Sequence, residues 1–390
     1  MPAISNKLLW ILLLLLIVSC HDDNPRQKIS EQQEPEIVKS PKEELMEKLL
    51  SEIDTFPLID YSYIVIRDKN QLDSIRHAFK ETVENPALNK MFCTLNRKER
   101  RYLKVGDTVL VADSVVNDMT AYSIFPMVYP EAVNIKKLVI VSAAYQAYAC
   151  YEYGKQVRFA ATNTGKEKTQ TYPGRYAMVW KQELRISSLD STWKMPYTWN
   201  IHRYAGSAFH KFDMPGYAAS HSCLRQFMDD AKWLYYWGEG SKYDTNKVPI
   251  HLSGTPVLII DYFDFRRPKT GPWVALRSNK DLLLELPENP MEYEEAYIPI
   301  SQIPKSTRGI LPDRNRYLHA EDTLRTRGII RDGVTITVSV DFNELRRKKE
   351  AKKLKEMELK KKEEQEAESN NGITDDDIIN KNLKKLENNN

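Results

Sequence analysis

A series of short apolar runs separated by turn residues is the feature that most restricts how this chain can fold. Four such runs follow one another in the middle of the sequence: Leu138–Ser142, Ala147–Tyr151, Gln156–Ala161 and Arg175–Trp180. Runs of this length, rich in β-branched and aromatic residues, are typical of strands, and glycines between them mark turns. Thr255–Tyr262 predicts a further buried strand, and Asp229–Tyr236 suits a helix. We therefore predict a mainly β domain with one or two short helices.

A cysteine lies in a dense group of polar residues within this β-rich span. The segment Ser220–Arg225 reads SHSCLR, and seventeen residues separate Ser220 from His202 upstream. Neighbouring cations and a nearby base lower the pKa of a thiol and supply the reactive thiolate. Cys223 is therefore a candidate nucleophile, and the alternative is an inert cysteine buried in the core.

These residues resemble the signature of the L,D-transpeptidase (YkuD-type) catalytic domain, in which an early His precedes a Ser/Thr-His-Gly-Cys turn and then Arg or Asn. Two flanking segments extend the resemblance: Thr164–Lys166 with Thr171–Tyr176 upstream, and Gly254–Val257 downstream. It covers about 130 residues, from Lys137 to Phe265, and it implies a β-sandwich. The chain departs from the signature at Arg203, where a small residue is usual, and at Ser222, where the family has Gly. Ser222 predicts either an ordinary φ or a mildly strained turn.

The resemblance implies a role for each residue of the signature. Cys223 would attack a carbonyl and form a thioester, with His202 as the base that takes the thiol proton. His210, eight residues further on, is the alternative base, because sequence distance alone does not separate the two imidazoles. The family pattern favours His202. Either the imidazole takes the proton during attack or a thiolate–imidazolium pair exists beforehand.

The remaining site residues are expected to shape the turn or to bind substrate. The backbone N–H groups of Ser222 and Cys223 would stabilise the oxyanion, while Ser220 and His221 would hold the turn. Arg225 suits a substrate carboxylate, because guanidinium pairs with carboxylate through two hydrogen bonds.

Tyr197 could form an aromatic wall of the donor groove, although an aromatic residue in such a strand more often belongs to the core. A zinc site formed by His202, His221 and Cys223 is disfavoured, because the sequence has no CxxC, no HExxH and no obvious fourth ligand. We expect no metal and no cofactor.

The implied substrate is a peptidoglycan stem tetrapeptide. Cys223 would displace the terminal D-alanine, and a side-chain amine of a neighbouring stem would accept the acyl group to give a 3→3 cross-link in cell wall biogenesis. The same thioester could instead pass to a D-amino acid, to the lysine of a lipoprotein or to water. Two alternative functions also remain: an L,D-carboxypeptidase or hydrolase that uses the same site, and an inactive cell-wall-binding scaffold, for which Ser222 argues. The net charge of +3 over 390 residues indicates no partner by itself, and we expect no nucleic acid.

The N-terminus predicts export. Lys7 precedes the apolar run Leu8–Val18, which is too short to span a bilayer but suits a signal peptide. Ile17–Cys20 resembles a bacterial lipobox, which implies that Cys20 is acylated and anchors an exported, periplasmic or cell-surface lipoprotein to a membrane. The alternatives are an uncleaved signal anchor and a cleaved peptide with an incidental cysteine.

The two ends of the chain differ in character from the β-rich middle. Ser40 and Pro41 predict the start of a helix, and the alternating segment Val334–Val340 predicts a half-buried strand. Arg346–Lys362 has ten basic and three acidic residues, which predicts a long solvated helix running into a disordered tail. Its basic half could contact an anionic cell-wall or membrane surface, or the tail could neutralise itself. For Cys93 and Cys150 we favour free thiols over a disulfide.

These patterns together divide the chain. The predicted parts are a signal peptide (1–19), a lipidated cysteine and linker (20–40), an α+β accessory region (41–130), the catalytic domain (131–270), an extension (271–342) and a charged helix with a disordered tail (343–390).

Overall fold

The computed structural model describes residues 39–53, 55–186, 194–339, 342–371, 379–380 and 384. The predicted signal peptide, Cys20, nearly all of the linker and most of the predicted disordered tail lie outside these residues. Within the described ranges, every helix is too short or too polar to cross a membrane.

The chain forms strands and helices in the following order. The strands are β1 (Tyr61–Val65), β2 (Thr108–Ala112), β3 (Leu138–Ser142), β4 (Ala147–Glu152), β5 (Lys155–Ala161), β6 (Gly174–Ala177), β7 (Lys181–Ile186), β8 (Lys194–His202), β9 (Ser207–Lys211), β10 (Leu224–Gln226) and β11 (Pro256–Ile259). The α-helices are α1 (Pro41–Ser51), α2 (Lys69–Ala78), α3 (Pro86–Asn96), α4 (Met228–Trp237), α5 (Arg314–Thr326) and α6 (Phe342–Asn371). Short 3-10 helices lie at Arg100–Tyr102, Met119–Tyr122, Pro130–Ala132, Glu167–Thr169, Pro272–Ala275 and Lys305–Ile310.

Two sheets build the catalytic body. One sheet has the order β5-β4-β3-β11-β6, and the other has the order β10-β9-β8-β7. Strand β11 runs parallel to β3 and antiparallel to β6, and β10 runs parallel to β9. A parallel pair needs a long connection, and the chain between β3 and β11 supplies it by forming the whole second sheet. The predicted β-sandwich is confirmed.

The five-stranded sheet is buried on both faces, which explains why its strands read as unbroken apolar runs. Because side chains alternate along a strand, Leu138 and Ile140 of β3 enter one hydrophobic core, and Val139 and Val141 enter the other. The first core lies between this sheet and the accessory region, and the second lies between the two sheets. The sheet therefore packs against the accessory region on one face and against the second sheet on the other.

The accessory region packs on the first core through its helices and the antiparallel pair β1–β2. Helix α1 begins as predicted, with Ser40 and Glu43 forming a reciprocal cap. Helix α3 was not predicted, and it ends at Arg97, which has a left-handed φ of 56°. The Arg97 guanidinium is buried and donates to the carbonyl of Tyr145 at 3.0 Å, so it ties α3 to the β3–β4 turn.

The C-terminal extension contributes to both cores, through Trp273 and Leu276 in the first and Tyr317 and Leu324 in the second. The predicted strand at Val334–Val340 is wrong. Residues 334–339 form no β-ladder, since the segment makes only isolated bonds, such as Ser339 N–H to the carbonyl of Gln302 at 2.9 Å.

Helix α6 is long, and all of its described side chains are exposed. This confirms the predicted solvated charged helix. Cys93 and Cys150 are buried free thiols, in agreement with the interpretation favoured from sequence.

Candidate active site

The turn that carries Cys223 is held between two segments. On one side, the Ser220 N–H donates to the carbonyl of Thr164 at 3.0 Å, and the Lys166 N–H donates to the carbonyl of Ser220 at 2.9 Å. On the other side, β10 follows the turn at once and pairs in parallel with β9. The Ser220 hydroxyl donates to the carbonyl of Cys223, which confirms its predicted part in holding the turn.

Ser222 has a φ of 80°, which is a left-handed conformation. Of the two possibilities open at the sequence level, the strained turn is therefore correct. The side chain is buried, and its hydroxyl accepts a hydrogen bond from the Ser207 hydroxyl at 3.0 Å. The left-handed conformation costs a non-glycine residue about 1 to 2 kcal/mol, and this bond returns part of that free energy.

The Cys223 thiol is half-buried and lies 3.8 Å from the carbonyl oxygen of Gly206. Burial raises its pKa above the usual value, and this outweighs the lowering by the Ala208 N–H, by Arg225 and by Arg185. At neutral pH the resting group is therefore the thiol and not the thiolate.

His210 lines the same cavity as Cys223, and His202 does not. His210 lies on β9 in register with Arg225 of β10, so strand pairing brings the imidazole to the nucleophile turn. Its Nδ1 lies 3.0 Å from the carbonyl of Lys211. Because a carbonyl only accepts, Nδ1 carries the proton and Nε2 is left basic. Burial lowers the pKa of His210 to about 4, so the ring is neutral at neutral pH.

His202 lies at the end of β8 and lines a separate cavity of about 450 Å³. Its Nδ1 accepts from the Ala205 N–H at 3.0 Å, and its Nε2 lies 3.4 Å from the Tyr317 hydroxyl. Burial, followed by the nearby His251, lowers the pKa of His202 to about 4. The preference for His202 as the base is therefore corrected, because its ring lines the separate cavity next to Tyr317 and is absent from both cavities of Cys223. The alternation of β9, which places Ala208 and His210 on one face, was the available signal.

His221 and Arg225 flank the nucleophile and face its cavity. The His221 Nε2 lies 2.9 Å from the Lys166 Nζ, and burial, Lys166 and Arg225 all lower the pKa of this imidazole. Arg225 donates to the carbonyls of Asp213 at 3.1 Å and Ala219 at 3.4 Å. It therefore holds the loop between His210 and the turn while part of its guanidinium still faces the cavity.

Tyr197 does not line the Cys223 cavity. Its ring packs edge-on against Tyr235 of α4 at 5.6 Å between centroids, which corrects its predicted place in the donor groove. Tyr197 has a left-handed φ of 55°, which interrupts the alternation of β8. As a result Met195 and Thr198, three positions apart, both line the cavity.

Sequence reasoning missed two groups of cavity residues. Arg185 of β7 reaches the cavity across the four-stranded sheet, and the extension contributes Pro304, Thr307 and Ser339. No local motif marks them, because only the tertiary fold brings them there. Within the described part of the chain, no group of three His, Cys, Asp or Glu residues could hold a metal ion.

Comparison with known proteins found a family whose model matches the segment that contains this site. Residues 136–259 match the model of the YkuD family, described as the L,D-transpeptidase catalytic domain. The resemblance seen in the sequence is thereby confirmed for this segment. A search of curated proteins found no match.

Solved structures with similarity to the chain include three L,D-transpeptidases. The one from Stackebrandtia nassauensis is 20% identical over 33% of this chain and 57% of its own, with a TM-score of 0.26. The one from Xylanimonas cellulosilytica is 25% identical over 32% and 59%, with a TM-score of 0.24. L,D-transpeptidase 3 from Mycobacterium tuberculosis, which carries a faropenem-derived adduct, is 16% identical over 32% and 60%, with a TM-score of 0.25. The chain thus spans less than two thirds of each of these proteins.

Proposed function

We propose that the chain is a cysteine-dependent L,D-transpeptidase that acts on peptidoglycan stem tetrapeptides and forms 3→3 cross-links in cell wall biogenesis. One observation carries the proposal: Cys223, His210 and Arg225 line a single cavity inside the segment that matches the family model. A nucleophile, a base and a carboxylate-binding group are what acyl transfer from a peptide requires.

The protonation states favour one order of events. The pKa of Cys223 is raised and that of His210 is about 4, so the resting pair is a thiol and a neutral imidazole. His210 Nε2 takes the thiol proton as Sγ attacks the carbonyl carbon. The C–N bond to D-alanine then breaks, the proton passes to the leaving amine, and a thioester remains on Cys223. The amine of a second stem attacks the thioester, forms the new amide and returns the thiol.

The turn that carries Cys223 supplies the groups that stabilise the oxyanion and bind the donor carboxylate. The amides of Ser222 and Cys223 are the proposed oxyanion donors, because a left-handed residue just before the nucleophile turns successive N–H groups toward one point. Arg225, already held by two loop carbonyls, is the proposed partner of the donor carboxylate. This assignment makes the loop between His210 and Ser220 part of the substrate site.

The test is intact-protein mass after incubation of the full chain with a carbapenem and, separately, with a disaccharide-tetrapeptide. We expect a covalent adduct and muropeptide dimers with the wild type, and neither with Cys223→Ala. Loss of D-alanine without dimers would support the hydrolase instead. No adduct of either kind would support the inactive scaffold.

We also propose that the protein is an exported lipoprotein anchored through Cys20, in the compartment where stem peptides occur. The support is the Lys7–Cys20 segment. Labelling with a fatty-acid analogue should fail in Cys20→Ala, and labelling that persists would contradict the anchor. The exposed basic half of α6 is the proposed contact to an anionic cell-wall or membrane surface.

A further inference from the structure

A second cavity lies beside the active site and is larger than it. We name it the Arg175 cavity, after a residue in its wall. Its volume is about 450 Å³, against about 40 and 110 Å³ for the two cavities that Cys223 lines. Its walls come from β6, from the end of β8, from the segment before β11, and from the extension through Glu295, Arg316 and Tyr317. The extension lies outside residues 136–259, so this part of the wall is not supplied by the segment that matches the family model.

The extension forms its wall by lying against the edge of β6. The Arg175 N–H donates to the carbonyl of Glu294 at 2.8 Å, and the Ala296 N–H donates to the carbonyl of Arg175 at 3.3 Å. Gly174 permits this approach, because a Cβ there would lie 2.3 Å from Ala296 Cα and its φ is 134°. Arg175 and Glu295 are thereby placed side by side in the cavity wall.

Arg175 is the most informative group in this cavity. Its Nε is buried and forms no hydrogen bond with any described residue. Because this nitrogen is shielded from solvent, a ligand in the cavity would pair with the terminal nitrogens of the guanidinium, and carboxylate is the acceptor that fits their planar geometry. The neighbouring Glu295 carboxylate lies 3.1 Å from His251 and does not serve as that acceptor.

Three guanidinium groups line the cavity against two carboxylates, those of Glu295 and Asp313, and this balance favours an anion with an uncharged body. Arg316 is a second guanidinium in the wall, and one of its nitrogens donates to the carbonyl of Glu295. His202 is neutral at physiological pH, since its pKa is about 4, and it adds a polar but uncharged group beside the Tyr317 hydroxyl. Ile201 and Val179 provide apolar surface. A short peptide with a free carboxylate matches this combination.

The two sites share a wall. Arg203 and Tyr204 line both the Arg175 cavity and the cavity of Cys223. The Thr307 hydroxyl donates to the carbonyl of Tyr204 at 3.2 Å, so the extension holds this wall in place. The Arg175 cavity and a cavity of Cys223 are therefore neighbours, with Arg203 and Tyr204 between them.

We infer that the Arg175 cavity binds the free carboxylate of the acyl acceptor, a second stem peptide, through Arg175 and Arg316, and leaves its side-chain amine directed toward Cys223. This inference rests on the proposed transpeptidase function. It gives the C-terminal extension a role in acceptor choice.

The first test is calorimetric titration of the full chain carrying Cys223→Ala with a stem tripeptide and with the same tripeptide as its C-terminal carboxamide. We expect Arg175→Gln to weaken binding of the acid by about tenfold or more, since the change removes a charged hydrogen-bond donor to the carboxylate. The carboxamide should bind the parent chain as weakly as the acid binds the variant. Arg314→Gln, on the exposed surface of α5, is the matched control and should bind the acid normally. Equal affinity of the parent chain for acid and amide, or no loss in Arg175→Gln, would overturn the inference.

A second measurement separates this inference from the proposed function. With Cys223 restored, Arg175→Gln should be acylated by a carbapenem at the wild-type rate but should form fewer muropeptide dimers. If the wild type is not acylated, the proposed function fails, while the titration still decides whether the cavity binds carboxylate. If Arg175→Gln forms dimers normally, the acceptor role fails and the transpeptidase stands.

Discussion

Two neighbouring regions of the molecule, the surroundings of Cys223 and the Arg175 cavity, contain similar groups, yet only the first of them has a thiol. Each has a neutral imidazole and a guanidinium, namely His210 with Arg225 and His202 with Arg175. The smaller cavity also has a thiol on a strained turn, and the larger one has an unsatisfied Arg175 nitrogen. The comparison teaches that strand pairing, and not spacing along the chain, decides which histidine lies beside the thiol.

The largest expected effect is a loss of acylation rate, and it tests directly which of the two histidines acts on Cys223. His210→Gln should slow acylation of Cys223 by about 10² to 10⁴ fold, which is the usual contribution of a general base. His202→Gln, eight residues earlier and in the other cavity, should change the rate by less than about threefold, since it does not touch the reacting atoms. The measurement is the rate of carbapenem adduct formation by mass spectrometry. A large loss in His202→Gln alone would restore the original sequence assignment.

A pH titration of stability should reveal both buried imidazoles. The pKa values of His210 and His202 are about 4 in the folded chain, below about 6.5 in an unfolded chain. The unfolded state therefore binds more protons between these values, so stability is fully present above pH 6.5 and falls as pH drops toward 4. His210 alone accounts for about 3 kcal/mol of this loss.

Denaturant unfolding at a series of pH values measures that loss. His210→Gln should reduce the slope between pH 6.5 and 4, and His202→Gln should reduce it separately. An unchanged slope in His210→Gln would contradict the neutral buried ring.

Ser222 offers a smaller effect that is specific to the nucleophile turn. Glycine relieves the left-handed φ but loses the hydrogen bond from Ser207. The two effects of Ser222→Gly on the free energy of unfolding should therefore nearly cancel. With Ser207→Ala already present, the same change should stabilise the chain by about 0.5 to 1 kcal/mol. Thermal unfolding of the wild type, the two single variants and the double variant measures the interaction between the two hydroxyls. Additive changes would show that the two hydroxyls do not interact.

The smallest effect concerns Tyr197, which lies outside both cavities. Tyr197→Phe keeps the edge contact with Tyr235, so acylation should stay within about twofold of the wild type, because no reacting group is moved. A marked rise in the substrate concentration needed for half-maximal rate would instead support the original prediction that Tyr197 lines the donor groove.

Local patterns in the sequence determined much of this protein. The β3, β4 and β5 runs, the Ser40 cap of α1, helix α4 and the charged helix α6 all follow from periodicities and caps that act within a few residues. The reactive Cys223 turn was also readable, because Ser220 and Arg225 are its close neighbours along the chain.

Only the tertiary structure decided which distant groups share a site. The parallel pairing of β9 with β10 brings His210 to Cys223, and the left-handed Tyr197 changes which β8 side chains face the cavity. The extension adds Ser339 to one cavity and Arg316 to the other. The periodicity of side chains along a strand is a local property. Strand register and the packing of distant segments depend on the whole core. Each correction to the sequence-based assignments therefore concerns register or long-range packing.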